Sequence, residues 1–317
     1  MLAQPSPLCL FWIILTNPDD ERAGGSFGLT GKSGSDILPG SMKKMVDEQN
    51  EFSRILTCGK FSGRIHKAYD HSEWIKMFCP PGNLWSHPDM RLLLEGRNRV
   101  GVISFAAGKE EKSMVTKEFR AGGIDRLKAR FQLSKAQKAW RGSCFLQKKG
   151  IPTPPPAAFL EPPKNHFGEN GYFFCEFIPD AVEIRGLFLE PSGIEIKVLL
   201  KHLAAFLYVC HEKGVLHRDL SDGNVLVSKK RNGEYGFFLL DTNRIKERKR
   251  IRFLSRAKNL IRLGVPAAYQ RFFIRSYPGY SSSLFWGWYR VNKSVFSWYI
   301  KTKKKLKLKK MARALRI

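Results

Sequence analysis

Residues 217–227 read His217-Arg218-Asp219-Leu220-Ser221-Asp222-Gly223-Asn224-Val225-Leu226-Val227. A helix is predicted just before this string, over Leu199–Lys213, because its apolar residues recur at i, i+3 and i+4. Two short strands are predicted after it, Val225–Val227 and Phe237–Leu240, and they form a hairpin. Another acidic residue, Asp241, follows the second strand directly. The order is therefore helix, polar loop, small hairpin and a final carboxylate.

This string resembles the catalytic segment of the protein-kinase-like superfamily, in which H-R-D, an Asn five residues later, a hairpin and a metal-binding Asp follow one another. The resemblance implies ATP and Mg²⁺ as cofactors, and phosphoryl transfer explains the spacing. Asp219 would orient the acceptor hydroxyl and take its proton, while Asn224 and Asp241 would be oxygen ligands of Mg²⁺. The competing interpretation is structural: Asp219 caps a turn and Asn224 enters a strand.

The order of elements along the chain predicts an α+β, bilobal fold. Residues Arg91–Arg120 have the β-rich composition of strands separated by a polar turn. A helix follows over Ser134–Lys149, where Ser134 and Gln137 form a capping box. We therefore expect a protein-kinase-like fold, with a small β-rich N-lobe and a mostly helical C-lobe that carries the catalytic hairpin.

The resemblance also implies positions that bind the nucleotide. Lys117, on the strand before the helix at Ser134–Lys149, matches the lysine that contacts the phosphates. An ordinary solvated lysine is the alternative. Glu176 and Ile178 fall at the end of the strand predicted over Tyr172–Ile178, in the hinge whose backbone would hold the adenine.

Two departures from the kinase pattern concern this lysine. No G-x-G-x-x-G precedes Lys117, and Gly96–Gly101 is the nearest candidate for the loop over the phosphates. The helix Ser134–Lys149 contains no acidic residue, so the usual glutamate partner of the lysine is missing. Asp125 or Glu161 would substitute for it, or the lysine stands alone.

Three further strings make the chain similar to the bacterial lipopolysaccharide core kinases, over roughly residues 91–265. They are Ser134–Arg141 running into Gly150–Pro154, then His217–Asn224, and then Leu239–Arg244 followed by a basic stretch. Asp241-Thr242-Asn243 stands in place of D-F-G, which disfavours a regulated eukaryotic-type protein kinase. Family membership implies transfer to a heptose or 3-deoxy-manno-octulosonic acid (Kdo) hydroxyl on a lipid-linked acceptor. It also implies a place at the cytoplasmic face of the inner membrane of a Gram-negative-type bacterium.

Positive charge is concentrated in the C-terminal quarter of the chain. The 317 residues include 55 Lys and Arg against 28 Asp and Glu, and residues 244–317 hold 22 of the basic residues with one acid. This excludes an acidic or charge-balanced protein and favours a polyanionic partner. Aromatic residues over 284–299 and the lysines after them predict attachment to an anionic membrane surface. A solvated basic tail is the alternative, and nucleic-acid binding is disfavoured.

These features predict five segments. They are a leader or linker at 1–41, an N-terminal extension at 42–88, the N-lobe at 89–178, the C-lobe core at 179–265 and a basic aromatic membrane-associating region at 266–317. The leader is not native if translation starts at Met42 or Met45. Two classes of function remain: an active sugar kinase, or a protein kinase-like or degenerate kinase-fold binding protein whose tail holds membrane or RNA.

Overall fold

The computed structural model describes residues 52–107, 110–120, 133–163, 169–189, 193–230, 233–279 and 283–314. All of them belong to a single compact unit that spans residues 50–317. The leader expected at 1–41 lies outside the described residues, and so does Asp125.

Among the described residues, an antiparallel sheet of seven strands forms the N-terminal lobe, in the order β1-β2-β6-β7-β5-β4-β3. The strands are β1 Ser53–Cys58, β2 Phe61–His66, β3 Arg91–Glu95, β4 Asn98–Ala107, β5 Glu110–Phe119, β6 Pro156–Glu161 and β7 Gly171–Glu176. The strands expected over 91–120 are therefore confirmed as β3, β4 and β5. The segment expected to be an extension contributes β1 and β2, and β2 pairs with β6.

Helices cover both faces of this sheet. Helix α1, Ser72–Phe78, packs its Trp74 and Phe78 into the core on one face. Helix α2, Lys135–Lys148, lies on the other face, where Trp140 joins a second core. The predicted start of α2 is confirmed, because the Ser134 hydroxyl accepts a hydrogen bond of 3.0 Å from the Gln137 amide.

The C-terminal lobe is mostly helical. Its helices are α3 Ile184–Leu189, α4 Gly193–Glu212, α5 Phe253–Leu260, α6 Gln270–Arg275 and α7 Ser283–Ala314, and its strands are β8 Val182–Glu183, β9 Val215–His217, β10 Val225–Lys229, β11 Tyr235–Leu239 and β12 Ile245–Glu247. Helix α4 begins six residues before the predicted start, and its leucines belong to the core of this lobe. The paired strands β10 and β11 are the predicted catalytic hairpin. The fold is thus α+β, with a β-rich N-lobe and a helical C-lobe.

Helix α7 has two kinds of aromatic residue. Phe285 and Tyr289 are fully buried in the core of the C-lobe, and the Phe285 ring stacks 5.5 Å from that of Tyr277. Trp298 and Tyr299 are exposed. The expectation that the whole aromatic segment faces a membrane therefore fails for its first turns, because those rings complete a protein core. No helix in the described part of the chain is long and apolar enough to cross a membrane.

Candidate active site

Backbone hydrogen bonds join the loop at 217–224 to the end of the hairpin. The Asn224 carbonyl accepts from the Leu240 amide at 2.9 Å. The His217 ring connects the same two segments, since Nε2 donates to the Leu240 carbonyl at 2.7 Å and Nδ1 accepts from the Asp219 amide at 3.1 Å. Burial lowers the pKa of His217, which keeps the ring neutral. These bonds bring Asp219, Asn224 and Asp241 to one place.

A buried chain of hydrogen-bonded polar groups supports the loop at 217–224. The Tyr277 hydroxyl lies 2.7 Å from Nδ1 of His211, and Nε2 of His211 lies 2.9 Å from the Asn259 side-chain oxygen. The Asn259 amide in turn donates to the His217 carbonyl at 2.8 Å. Burial lowers the pKa of His211 to about 4, so the ring accepts from Tyr277 and donates to Asn259. Sequence reasoning missed this network, whose members come from three separate helices or loops.

The side chains of Asn224 and Asp241 offer oxygen atoms at the end of the hairpin. The Asn224 amide nitrogen donates to the Asp219 carbonyl at 2.8 Å, which fixes the amide and leaves its oxygen for a cation. Asp241 has a φ of 51°, a left-handed conformation that Asp tolerates better than most residues. No cluster of three or more His, Cys, Asp or Glu side chains occurs among the residues described. Mg²⁺ usually takes one or two carboxylates together with substrate phosphates, so this oxygen pair fits it.

Lys117 has an acidic partner, and that partner is Asp241. Its Nζ donates to Oδ1 of Asp241 at 2.5 Å, and the two side chains are 21% and 22% exposed. Lys117 lies in the middle of the sheet, because β5 pairs with β4 on one side and with β7 on the other. The lysine therefore links the N-lobe directly to the predicted metal ligand.

Helix α2 holds the Asp241 loop without using an acidic residue. The Thr242 hydroxyl donates to the Ala139 carbonyl at 2.9 Å and lies 2.9 Å from the Ser143 hydroxyl. Gly142 lets the helix approach closely, since a Cβ atom at that position would lie 2.1 Å from the Thr242 carbonyl oxygen. Thr242 and the small residues of α2 therefore fix the loop, although the helix contains no acidic residue.

The predicted hinge residues, Glu176 and Ile178, lie at the end of β7 and just after it. The Glu176 amide donates to the Pro155 carbonyl and the Phe177 amide to the Ser113 carbonyl, both at 2.9 Å. The amide of Ile178 is the next donor along the chain. The Glu176 carboxylate accepts from the Tyr69 hydroxyl at 2.5 Å, and burial raises the pKa of that tyrosine. The Glu176 side chain thus binds the N-lobe, and its backbone role toward adenine stays a prediction.

The glycine-loop candidate forms the turn between β3 and β4. The Gly96 amide donates to the Asn98 carbonyl at 3.1 Å and closes that turn. Gly101 is required by packing, because a Cβ atom there would lie 2.6 Å from the Met90 sulfur and 2.9 Å from the Trp85 ring. Of the two glycines, only Gly96 is at the tip of the hairpin.

Two arginines that the sequence analysis did not single out bind the candidate base. A terminal nitrogen of Arg262 lies 2.6 Å from Oδ1 of Asp219, and Nε of Arg244 lies 3.5 Å from Oδ2. The two arginine side chains remain 38% and 46% exposed. Both belong to the basic C-terminal quarter, which contains so many basic residues that the sequence gives no reason to select these two.

Comparison with known proteins finds likenesses among solved structures. No protein-family model and no curated protein matches the chain. A solved structure described as "WaaP in complex with acyl carrier protein" aligns with 80% of this chain and 99% of its own, at 16% identity and a TM-score of 0.49. A likeness of this degree leaves the chemistry to be judged from the residues of the site.

Proposed function

We propose that this protein is an ATP-dependent kinase that phosphorylates a sugar hydroxyl, on heptose or Kdo, of a lipid-linked lipopolysaccharide inner core. One observation carries the proposal. A lysine from the sheet, Lys117, contacts Asp241 at the end of the hairpin, where hydrogen bonds also gather Asp219 and Asn224. This set, drawn from both lobes, supplies the groups that phosphoryl transfer needs. The choice of sugar rests on the resemblance alone.

Each residue of the set has a chemical role in this proposal. Asp219 orients the acceptor hydroxyl and takes its proton as the new oxygen–phosphorus bond forms and the bond to the departing ADP breaks. Lys117 places a positive charge where the phosphates bind. Asn224 and Asp241 would hold Mg²⁺, which when bound neutralises charge on the phosphates.

The alternative, a degenerate kinase fold that only binds, rests on the missing helix glutamate and glycine loop. The first of these departures has a structural answer. Lys117 is paired with Asp241, and α2 fixes the adjoining loop through Thr242. These contacts favour the enzyme over the binding protein.

We also propose that the protein works at the cytoplasmic face of the inner membrane as a peripheral protein. The support is the last part of α7, where Trp298, Tyr299 and Leu306 are exposed. Lysines 301, 303 and 305 are exposed on the same stretch. Trp and Tyr favour the membrane interface, and each lysine near an anionic surface contributes about 1 kcal/mol.

The activity is tested with the purified full-length chain, radiolabelled ATP, Mg²⁺ and lipopolysaccharide that lacks core phosphate. We expect label in the sugar with the wild type and transfer slower by at least about a hundredfold with the Asp219→Asn variant. ATP binding without transfer to this acceptor would contradict the kinase and favour the binding protein.

The membrane role is tested by deleting Thr302–Ile317 and sedimenting the protein with anionic vesicles. The truncated chain should stay in solution and keep its activity on a delipidated acceptor. Excess vesicles should displace RNA from the full-length protein, since the same charges attract both. Equal sedimentation of both proteins would refute the role of the tail.

A further inference from the structure

The positive charge around the candidate base exceeds the negative charge. The Asp219 carboxylate faces both Arg244 and Arg262. Within the described residues, neither arginine has another carboxylate within ion-pair distance. Asp222, the next acid in the loop, is paired with Arg185 at 3.4 Å. One guanidinium charge therefore remains unbalanced at the point where the acceptor hydroxyl must arrive.

Arg262 is held in place by helix α7. The Lys293 ammonium donates to the carbonyls on both sides of it, Ile261 at 2.6 Å and Leu263 at 2.7 Å. Burial lowers the pKa of Lys293. The Arg262 guanidinium lies 5.6 Å from the centre of the Phe296 ring. A lysine and an aromatic ring thus fix the arginine, while its charged end stays accessible.

We infer that Arg244 and Arg262 form a subsite for an anionic group of the acceptor, a carboxylate or a phosphate close to the hydroxyl that is phosphorylated. The inference rests on the proposed function and goes further, because it selects an acidic acceptor over a neutral one. A guanidinium group matches the two oxygens of a carboxylate or phosphate. In this arrangement the arginines bind the anion of the acceptor instead of Asp219. The Asp219 oxygens are then free to accept the hydroxyl proton. With a neutral acceptor, both arginines remain bound to the Asp219 carboxylate.

The test uses deacylated inner-core oligosaccharide whose acceptor hydroxyl is free, in its charged native form and after methyl esterification and dephosphorylation, which remove its charges. Binding to the full-length chain is measured by calorimetry with Mg²⁺ and a non-hydrolysable ATP analogue. We expect Arg262→Gln to weaken binding of the native form about tenfold or more, as for a lost hydrogen bond to a charged group. Arg244→Gln should act in the same direction. Binding of the neutralised form should change little.

Two further variants guard against an effect on folding. Arg262→Lys keeps the charge and should retain part of the affinity, and Arg275→Gln, on the exposed surface of α6, should bind like the wild type. Oligosaccharides that have been only esterified or only dephosphorylated show whether the carboxylate or the phosphate is the ligand.

Three results would overturn the inference. They are equal binding of native and neutralised forms by the wild type, no binding of either, or a loss of nucleotide affinity rather than oligosaccharide affinity in Arg262→Gln. The last result would assign the arginine to the transferred phosphate. Phosphate transfer is measured in parallel. Arginine-dependent binding without transfer would refute the proposed kinase activity and leave the subsite standing. Equal transfer to the native and neutralised forms would support the kinase activity and refute the subsite.

Discussion

The two ends of the candidate site are built differently. At the nucleotide end, Asp241 is fixed by its backbone, by the buried Thr242 and by the close approach of Gly142. At the acceptor end, loop hydrogen bonds also hold the Asp219 backbone, but its carboxylate is bound by the exposed side chains of Arg244 and Arg262. Buried backbone contacts cannot change without disturbing the fold, whereas exposed side chains can. Under the proposed function, the comparison indicates a rigid end that binds the nucleotide phosphates and a more adjustable end that binds the acceptor.

The largest effect is expected at the acceptor end, in Asp219→Asn. An amide cannot take the hydroxyl proton, and a positioned general base contributes roughly 10²–10⁴-fold to the rate. The variant should keep its fold and its affinity for ATP with Mg²⁺, because no buried contact is lost. Transfer rates and calorimetry check both parts. Wild-type turnover in a folded variant would remove Asp219 from its role.

At the nucleotide end, Asp241→Ala should weaken ATP binding in the presence of Mg²⁺ by about tenfold or more, since it removes a charged ligand and the partner of Lys117. Calorimetric titration with and without Mg²⁺ measures the change. Glu234→Ala, which removes an exposed surface acid, is the matched control. An unaltered metal dependence in Asp241→Ala would count against this end of the site.

The rigidity of the nucleotide end is tested by Gly142→Ala. The added Cβ would lie 2.1 Å from the Thr242 carbonyl oxygen, so the helix or the loop must move, at a cost of about 1–3 kcal/mol in the free energy of unfolding. Nucleotide affinity should fall as well. Gly186→Ala in α3 is the control, because a Cβ there meets nothing within 4 Å. Equal stability of the two variants would show that α2 does not fix the loop.

The buried support beneath both ends predicts a pH dependence of stability. His211 and His217 are neutral in the fold and have lowered pKa values, so the unfolded chain binds protons more readily below the ordinary histidine pKa of 6.5. The stability that the two neutral histidines contribute to the fold is complete above that pH. It is lost as the pH falls toward about 4, the pKa of His211. The slope is about 1.4 kcal/mol per pH unit for each proton.

Urea denaturation between about pH 7.5 and about pH 5 measures this slope in the free energy of unfolding. His211→Gln should reduce it, and His71→Gln, on an exposed histidine, should leave it intact. A slope that survives the loss of His211 would mean that other groups cause the pH dependence.

The sequence predicted what depends on local spacing. Asp219, Asn224 and Asp241 lie around one hairpin, so their order along the chain was enough to place them together. Lys117 was found from its position on a strand before a helix, but its partner was not, because Asp241 is distant in sequence.

Contacts made by packing were not predictable in the same way. Arg262 reaches Asp219 because Lys293 and Phe296, on a helix that reads as a basic tail, hold it there. Thr242 reads as a departure from a motif, and only the close approach of α2 shows that its hydroxyl has a structural use. In both cases the missing information is which helix lies against which loop.

Helix α7 joins two parts of the molecule that the charge pattern presents as one tail. Lys293 supports the acceptor end, and the exposed Lys305 lies twelve residues further along the same helix. At 1.5 Å per residue, the two positions are about 18 Å apart. A continuous helix of this kind holds its two ends at a fixed distance. If its far end rests on a lipid surface, its length sets an upper limit on the distance between that surface and the hydroxyl that receives phosphate, and so limits which residue of a glycan chain is within reach.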